Sequence, residues 1–199
     1  LHFVTQGEGG YFEVKHDQHA SQPLTLESYL EQLKGRGVKK LWFDIKNLGD
    51  ENSRTALNEL LRLDTHYGIR QYAIIESPFQ GSAFHTFRAA GFHTSYYLPI
   101  GQIRRLLEAG EAGALRAQAE AIAAQLRRQQ PAAVSFHLDI YPFVKHYLEP
   151  LIDTQVVYHT WASIRLYYPF ALERLQRADY FNDPRVETIL YDLLELPVS

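Results

Sequence analysis

The sequence predicts an α/β fold, a (β/α)8 TIM-type barrel lacking its first strand, and three observations carry that prediction. Seven short apolar runs alternate with segments of helical spacing from Tyr11 onward, which implies right-handed crossovers and a parallel sheet. Carboxylates, His and Lys repeatedly fall at or just past the carboxyl end of those runs, where barrel active sites are built. No glycine-rich dinucleotide fingerprint or P-loop follows a predicted strand, which disfavours an open doubly wound sheet.

Each element has its own signal. Leu1 to Val4 reads as the tail of a strand, and the glycine-rich stretch Thr5 to Gly10 as a turn. Tyr11 to Asp17 alternates Phe12 and Val14 with Glu13 and Lys15, and so predicts a strand ending in His16 and Asp17. Leu24 to Leu33 has helical spacing, with Thr25 as N-cap and Gly35 as stop. Leu41 to Asn47 then alternates with period two and ends in Asp44, Lys46 and Asn47.

The same unit recurs. Asn52 to Tyr67 is an amphipathic helix ended by Gly68, Tyr72 to Ser77 a strand capped by Glu76 and Ser77, and Ser82 to Ala90 a helix closed by Gly91. Thr94 to Leu98 is a strand, and Ile100 to Gln129 an alanine-rich helical region interrupted near Gly110 and Gly113. Ala132 to Leu138 leads to His137 and Asp139, and Val156 to Thr160 places His159 and Trp161 at its mouth. A final helix around Pro169 to Arg177 precedes the strand Val186 to Leu190, which ends at Tyr191 and Asp192.

Composition bounds the function. The 199 residues, 46% hydrophobic and 13% aromatic, are enough for one substantial core. A net charge of -3 and a pI near 6.3 supply no basic field for nucleic acid. No apolar run approaches membrane-spanning length. The absence of cysteine excludes disulfides, thiolate catalysis and zinc-thiolate sites. Position 1 is not methionine, so the N-terminus is expected to be truncated or processed.

In a barrel, His16, Asp17, Asp44, Lys46, Glu76, His137, Asp139, His159 and Asp192 would converge on one rim. Several carboxylates beside His and Lys suit a hard divalent cation, Mg2+ or Ca2+, with histidine left for proton transfer. Zinc is less favoured, because no HExxH pair or similar close His spacing is present. His66, His85 and His146 lie on predicted helices and read as surface or packing residues.

Val14-Lys15-His16-Asp17, followed after a helix by Asp44-Ile45-Lys46, resembles the PLC-like phosphodiesterase superfamily, specifically its glycerophosphodiester phosphodiesterases. The resemblance is strongest to the menorin-type branch and its bacterial relatives. It extends through Ile74-Ile75-Glu76-Ser77 and the Ala90 to Pro99 segment. Asp44 stands where the family has Glu, and Thr160-Trp161 reverses the family's late Trp-Thr order. The family's first catalytic His and its Glu-x-Asp metal pair would precede Leu1, so residues 1–199 are expected to form a single, N-terminally incomplete barrel domain.

The resemblance implies hydrolysis of a small-molecule or lipid-head-group phosphodiester. It implies His16 as general acid or base, Asp44 as metal ligand, Lys46 as the cation on the phosphate or equally a structural ion-pair partner, and Glu76 as a second metal ligand or the group that orients Lys46. His159 and Trp161 are placed to bind substrate, Trp161 by stacking on it or else by plugging the barrel. Two competitors stand beside it. One is a barrel of the same ancestry that has lost catalysis and serves as a binding module. The other is a glycoside hydrolase using Asp44 and Glu76 as its carboxylate pair, without a metal.

Overall fold

The structure, a computed structural model, describes residues 1–15, 24–78, 83–167 and 179–194, with the backbone alone at 163–167 and 191–194. The chain divides into two compact units, Leu1–Tyr97 with Arg128–Pro131, and Leu98–Arg127 with Ala132–Ser199.

The first unit opens with an antiparallel hairpin, β1 (His2–Gln6) and β2 (Gly9–Val14), extended by the short β3 (Leu24–Thr25). The Tyr11 strand, counted from the sequence among the parallel barrel strands, instead pairs antiparallel on both sides. The link is a turn through Gly7 and Glu8, with Gly7 at φ 58°, and two residues close a hairpin where a parallel crossover needs a dozen or more. Phe3 and Phe12 face each other across the hairpin with ring centroids 4.9 Å apart, both buried.

Helix α1 (Leu26–Leu33) follows, and Thr25 caps it as predicted, its hydroxyl accepting from the Ser28 amide at 3.1 Å. Strands β4 (Leu41–Asp44), β5 (Ala73–Ser77) and β6 (His93–Tyr97) then pair in parallel in chain order. Between them run α2 (Asp50–Tyr67) and α3 (Ala83–Ala89). Helix α2 starts before the predicted Asn52, because Asn52 is its third residue and caps backwards, its side-chain carbonyl accepting from the Gly49 amide at 2.8 Å. At the other end Gly68 adopts φ 63°, and its amide closes the helix on the Asp64 carbonyl at 2.7 Å. The five residues of β5 are all buried, so its continuous apolar run reads correctly as a strand covered on both faces.

The second unit contains α4 (Ile100–Glu108), α5 (Ala112–Gln129) and the parallel strands β7 (Ala133–His137), β8 (Val157–Tyr167) and β9 (Val186–Leu194). Gly110, at φ 67°, separates the two helices as expected, while Gly113 is absorbed into α5. Leu115, Ala119, Ile122, Ala123 and Leu126 form the buried stripe of α5. Strands β8 and β9 run well past their predicted ends. The period-two pattern continues through Ala162, Ile164 and Leu166, so His159 and Trp161 lie inside β8 rather than at its mouth, and Tyr191 and Asp192 lie inside β9. The helix predicted around Pro169 to Arg177 lies outside the described residues. No described helix is long and apolar enough to cross a membrane.

Candidate functional site

In the first unit, β4 and β5 bring two carboxylates to one level. Asp44 and Glu76 are register partners on neighbouring parallel strands, and the Ile45 amide fixes the register by donating to the Glu76 carbonyl at 2.7 Å. In-register parallel strands stand about 4.8 Å apart, so the two side chains leave the sheet as neighbours. Glu76 is 3% exposed, and Asp44 is half-buried.

Lys46 lies two residues beyond β4, and its ammonium pairs with Oδ2 of Asp44. The same ammonium stands 5.8 Å from the centroid of the Tyr97 ring at the end of β6. Burial acts to lower the Lys46 pKa. The hydrogen bond and charge of Asp44, with smaller contributions from Tyr97 and Glu76, outweigh it and hold the group above its ordinary value of 10.5. Lys46 is therefore a cation throughout the neutral range. The other Asp44 oxygen, Oδ1, is buried and has no hydrogen-bond partner among the described residues. A buried carboxylate oxygen left so is costly unless a cation meets it.

Asn47 anchors this end of β4. Its amide accepts from the Phe3 N–H at 2.7 Å and donates to the Phe3 carbonyl at 2.7 Å, tying β1 to the site like a further ladder rung. Asn52 in turn donates to the Asn47 carbonyl at 2.8 Å.

The structure thus brings Asp44, Glu76 and Lys46 together, as the sequence suggested. His16 lies outside the described residues. His159 and Trp161 belong to the second unit: His159 has no exposed side-chain surface, and its Nε2 lies 4.0 Å from Oε1 of Glu187. Glu187 occupies a bulge, since Tyr158 pairs with Val186 while His159 pairs with Thr188. A bulge re-aims a side chain, and nothing in the local sequence announced this one. Trp161 is the register partner of His137 and meets it edge-on, with ring centroids 6.3 Å apart. Sequence reasoning also missed Tyr97 and Asn47. Asn47 directly follows the Asp-Ile-Lys run, and that position was the available signal. His66, His85 and His146 are exposed, as expected of surface residues.

No protein-family model and no curated protein matches the chain. Among solved structures it is similar to a glycerophosphodiester phosphodiesterase from Parabacteroides distasonis ATCC 8503, with a TM-score of 0.60 and 14% identity over 96% of this chain and 78% of that one. The chain has the glycerophosphodiester phosphodiesterase fold. A second structure, of a protein from Silicibacter pomeroyi DSS-3 assigned as a glycerophosphoryl diester phosphodiesterase, aligns with a TM-score of 0.51 and 17% identity. That alignment covers 86% of this chain and spans 53% of the other. On the glycerophosphodiester phosphodiesterase fold, the α/β class and the parallel strands read from the sequence are both present.

Proposed function

We propose that the protein is a metal-dependent phosphodiester hydrolase of the glycerophosphodiesterase and PLC-like type, acting on a small-molecule or lipid-head-group phosphodiester. The observation that carries this reading is the Asp44 carboxylate, with one oxygen on Lys46 and the other buried without a hydrogen-bond partner among the described residues, at the level of Glu76. Neighbouring carboxylates, one with a buried oxygen that has no hydrogen-bond partner among the described residues, form an all-oxygen donor set that fits a hard divalent cation such as Mg2+ or Ca2+. Asp44 and Glu76 would hold it. When bound, such an ion supplies charge stabilisation at the phosphoryl oxygens.

The remaining roles fall to this chain's own groups. Lys46, held protonated, neutralises a phosphate oxygen while Asp44 keeps its ammonium in place. His16 exchanges the proton of the reacting oxygen, and the half-buried Trp161 contacts the substrate, with His159 beside it in the strand. A closed (β/α)8 barrel in a single domain belongs to the same proposal.

A second reading has one observation in its favour. The Asp44–Lys46 pair neutralises one carboxylate without any metal, as in a binding module that has lost catalysis. Hydrolysis of glycerophosphodiesters in Mg2+ or Ca2+ separates the two. The enzyme reading expects turnover that a chelator removes and that Asp44→Asn lowers by about 100-fold or more. Absence of turnover with either metal would favour the module.

A further inference from the structure

Lys46 has a second holder besides Asp44, and the proposed chemistry gives that holder a task. We propose that Tyr97 is a positioning residue that keeps the Lys46 ammonium at the site when Asp44 ligates a divalent ion; the inference rests on the phosphodiesterase reading. Both residues belong to the first unit.

The strand register brings them together. Asp44 pairs with Glu76 and Glu76 with Ser95, which sets one row of side chains across β4, β5 and β6. Lys46 and Tyr97 each lie two residues past that row, toward the carboxyl ends. Tyr96 is 4% exposed, and alternation sends Tyr97 to the opposite face of β6, the face that carries Ser95.

Strands β4 and β6 stand roughly 10 Å apart with β5 between them, so a lysine and a tyrosine meet there only by leaning over β5. Two residues past Glu76 comes Pro78, which has neither a charge nor an N–H to offer the pair. The Lys46 ammonium stands over the Tyr97 ring, 5.8 Å from its centroid, within the range in which a ring face attracts a cation.

Asp44 and Tyr97 hold the ammonium by different means. Asp44 does so with a full negative charge. A carboxylate shared with a divalent ion has less of that charge left for an ammonium, and the two cations repel one another. The pull of the ring comes from its quadrupole, which ligation of Asp44 leaves unchanged. Lysine carries its charge on a flexible four-carbon stem, so an ammonium released by Asp44 regains rotamer freedom and leaves the phosphate oxygen it is to neutralise. Tyr97 opposes that release from a strand that carries neither Asp44 nor Glu76.

The competing role of Tyr97 is packing, since it is half-buried. Tyr97→Phe keeps the ring, and Tyr97→Leu keeps apolar bulk without one. The experiment measures kcat/KM of the full chain on a glycerophosphodiester with Mg2+ or Ca2+, for the wild type, both Tyr97 variants, Lys46→Met, and Tyr97→Leu combined with Lys46→Met. Expected is a loss of about 3- to 30-fold for Tyr97→Leu and of about twofold or less for Tyr97→Phe. In the Lys46→Met background Tyr97→Leu should cost nothing further, because the group it acts through is gone. NMR reads the same contact without turnover. The Lys46 ε-methylene protons, identified by their absence in Lys46→Met, should be displaced upfield by the ring, stay displaced when the metal saturates, and return to the ordinary lysine position in Tyr97→Leu. Losses that add in the combined variant, wild-type kcat/KM in Tyr97→Leu, equal losses in Tyr97→Phe and Tyr97→Leu, or a displacement that vanishes with metal would overturn the assignment and leave the phosphodiesterase reading standing. A wild type inactive on the diester with either metal would remove that reading, and this inference with it.

Discussion

Asp44 and Glu76 occupy one register position on adjacent parallel strands, and Lys46 supplies the ammonium that pairs with Asp44. The proposed metal site rests on these two carboxylates, which yields a prediction about thermal stability with and without the ion. Ca2+ or Mg2+ should raise the thermal midpoint of the wild type, a gain of about 2.7 kcal/mol at a hundredfold excess over Kd, and Glu76→Gln should lose most of that rise. Calorimetric scans with and without metal measure both. An equal rise in Glu76→Gln and in the wild type would contradict the assignment.

The Lys46 prediction concerns pH. A group whose pKa is raised on folding contributes stability that is present below its ordinary value and lost as pH rises through the folded one. The window therefore opens above 10.5. Lys46 is 43% exposed, so solvent screening keeps the pair's worth to about 1 kcal/mol or less. Lys46→Met should show a constant stability deficit from pH 6 to 9 that narrows above the ordinary lysine range. Urea midpoints across that pH range test it, and a deficit that grows at high pH would contradict it.

Asn47 predicts a local effect. Asn47→Ala leaves both the amide and the carbonyl of the buried Phe3 without their partners, a cost of about 1–3 kcal/mol. Hydrogen exchange at the Phe3 amide should accelerate with it. Asn47→Asp keeps the acceptor for the amide and loses the donor to the carbonyl, so a smaller loss is expected. Unchanged exchange in Asn47→Ala would show that β1 is held elsewhere.

At the start of β9, a cluster of ion pairs fixes the strand. Lys145 bonds Glu149 at 2.5 Å and Asp183 at 2.9 Å, Tyr141 donates to Asp183 at 2.8 Å, and Tyr158 donates to Glu149 at 2.6 Å. The Arg185 guanidinium lies 4.7 Å over the Tyr158 ring and donates to the Val156 and Asp153 carbonyls. Burial acts to raise the Asp183 carboxyl, and the Arg185 amide, Lys145 and Tyr141 outweigh it and hold it below 3.8. Burial likewise opposes Glu149, which Lys145 and Tyr158 hold below 4.5.

Groups depressed in this way contribute stability that is present above their ordinary values and lost as pH falls through the folded ones. Acid unfolding of the wild type should therefore begin below about pH 4.5. Lys145→Met leaves two carboxylates without their ammonium and should cost about 3 kcal/mol at pH 7, with a flatter acid limb. Denaturant titrations at pH 7 and pH 3 check this, and an equal deficit at both would contradict it.

Much of the fold was legible because period and punctuation agreed. Thr25 capped its helix, and Gly68, Gly91 and Gly110 adopt positive φ where helices were expected to end. The Tyr11 strand was counted with the parallel strands because a strand pattern states its period and not its partner's direction, which the two-residue link at Gly7 decides. The lengths of β8 and β9 were underestimated because His159 and Trp161 looked like a mouth in the middle of a continuing alternation. In the first unit, the neighbouring placement of Asp44, Lys46 and Glu76 was legible from position alone, since each follows an apolar run. In the second unit, the approach of Glu187 to His159 was not, because a bulge on β9 is a property of pairing with β8 and leaves no mark in either strand's own sequence.

The most direct measurement is a calorimetric titration of the full chain with Mg2+ and with Ca2+, using Asp44→Asn as the control. Saturable binding of one ion per chain, weakened at least about tenfold by Asp44→Asn, is the result expected of a carboxylate that ligates the metal. No binding by the wild type, or equal affinity in the wild type and the Asp44→Asn variant, would contradict the metal site and with it the hydrolase reading.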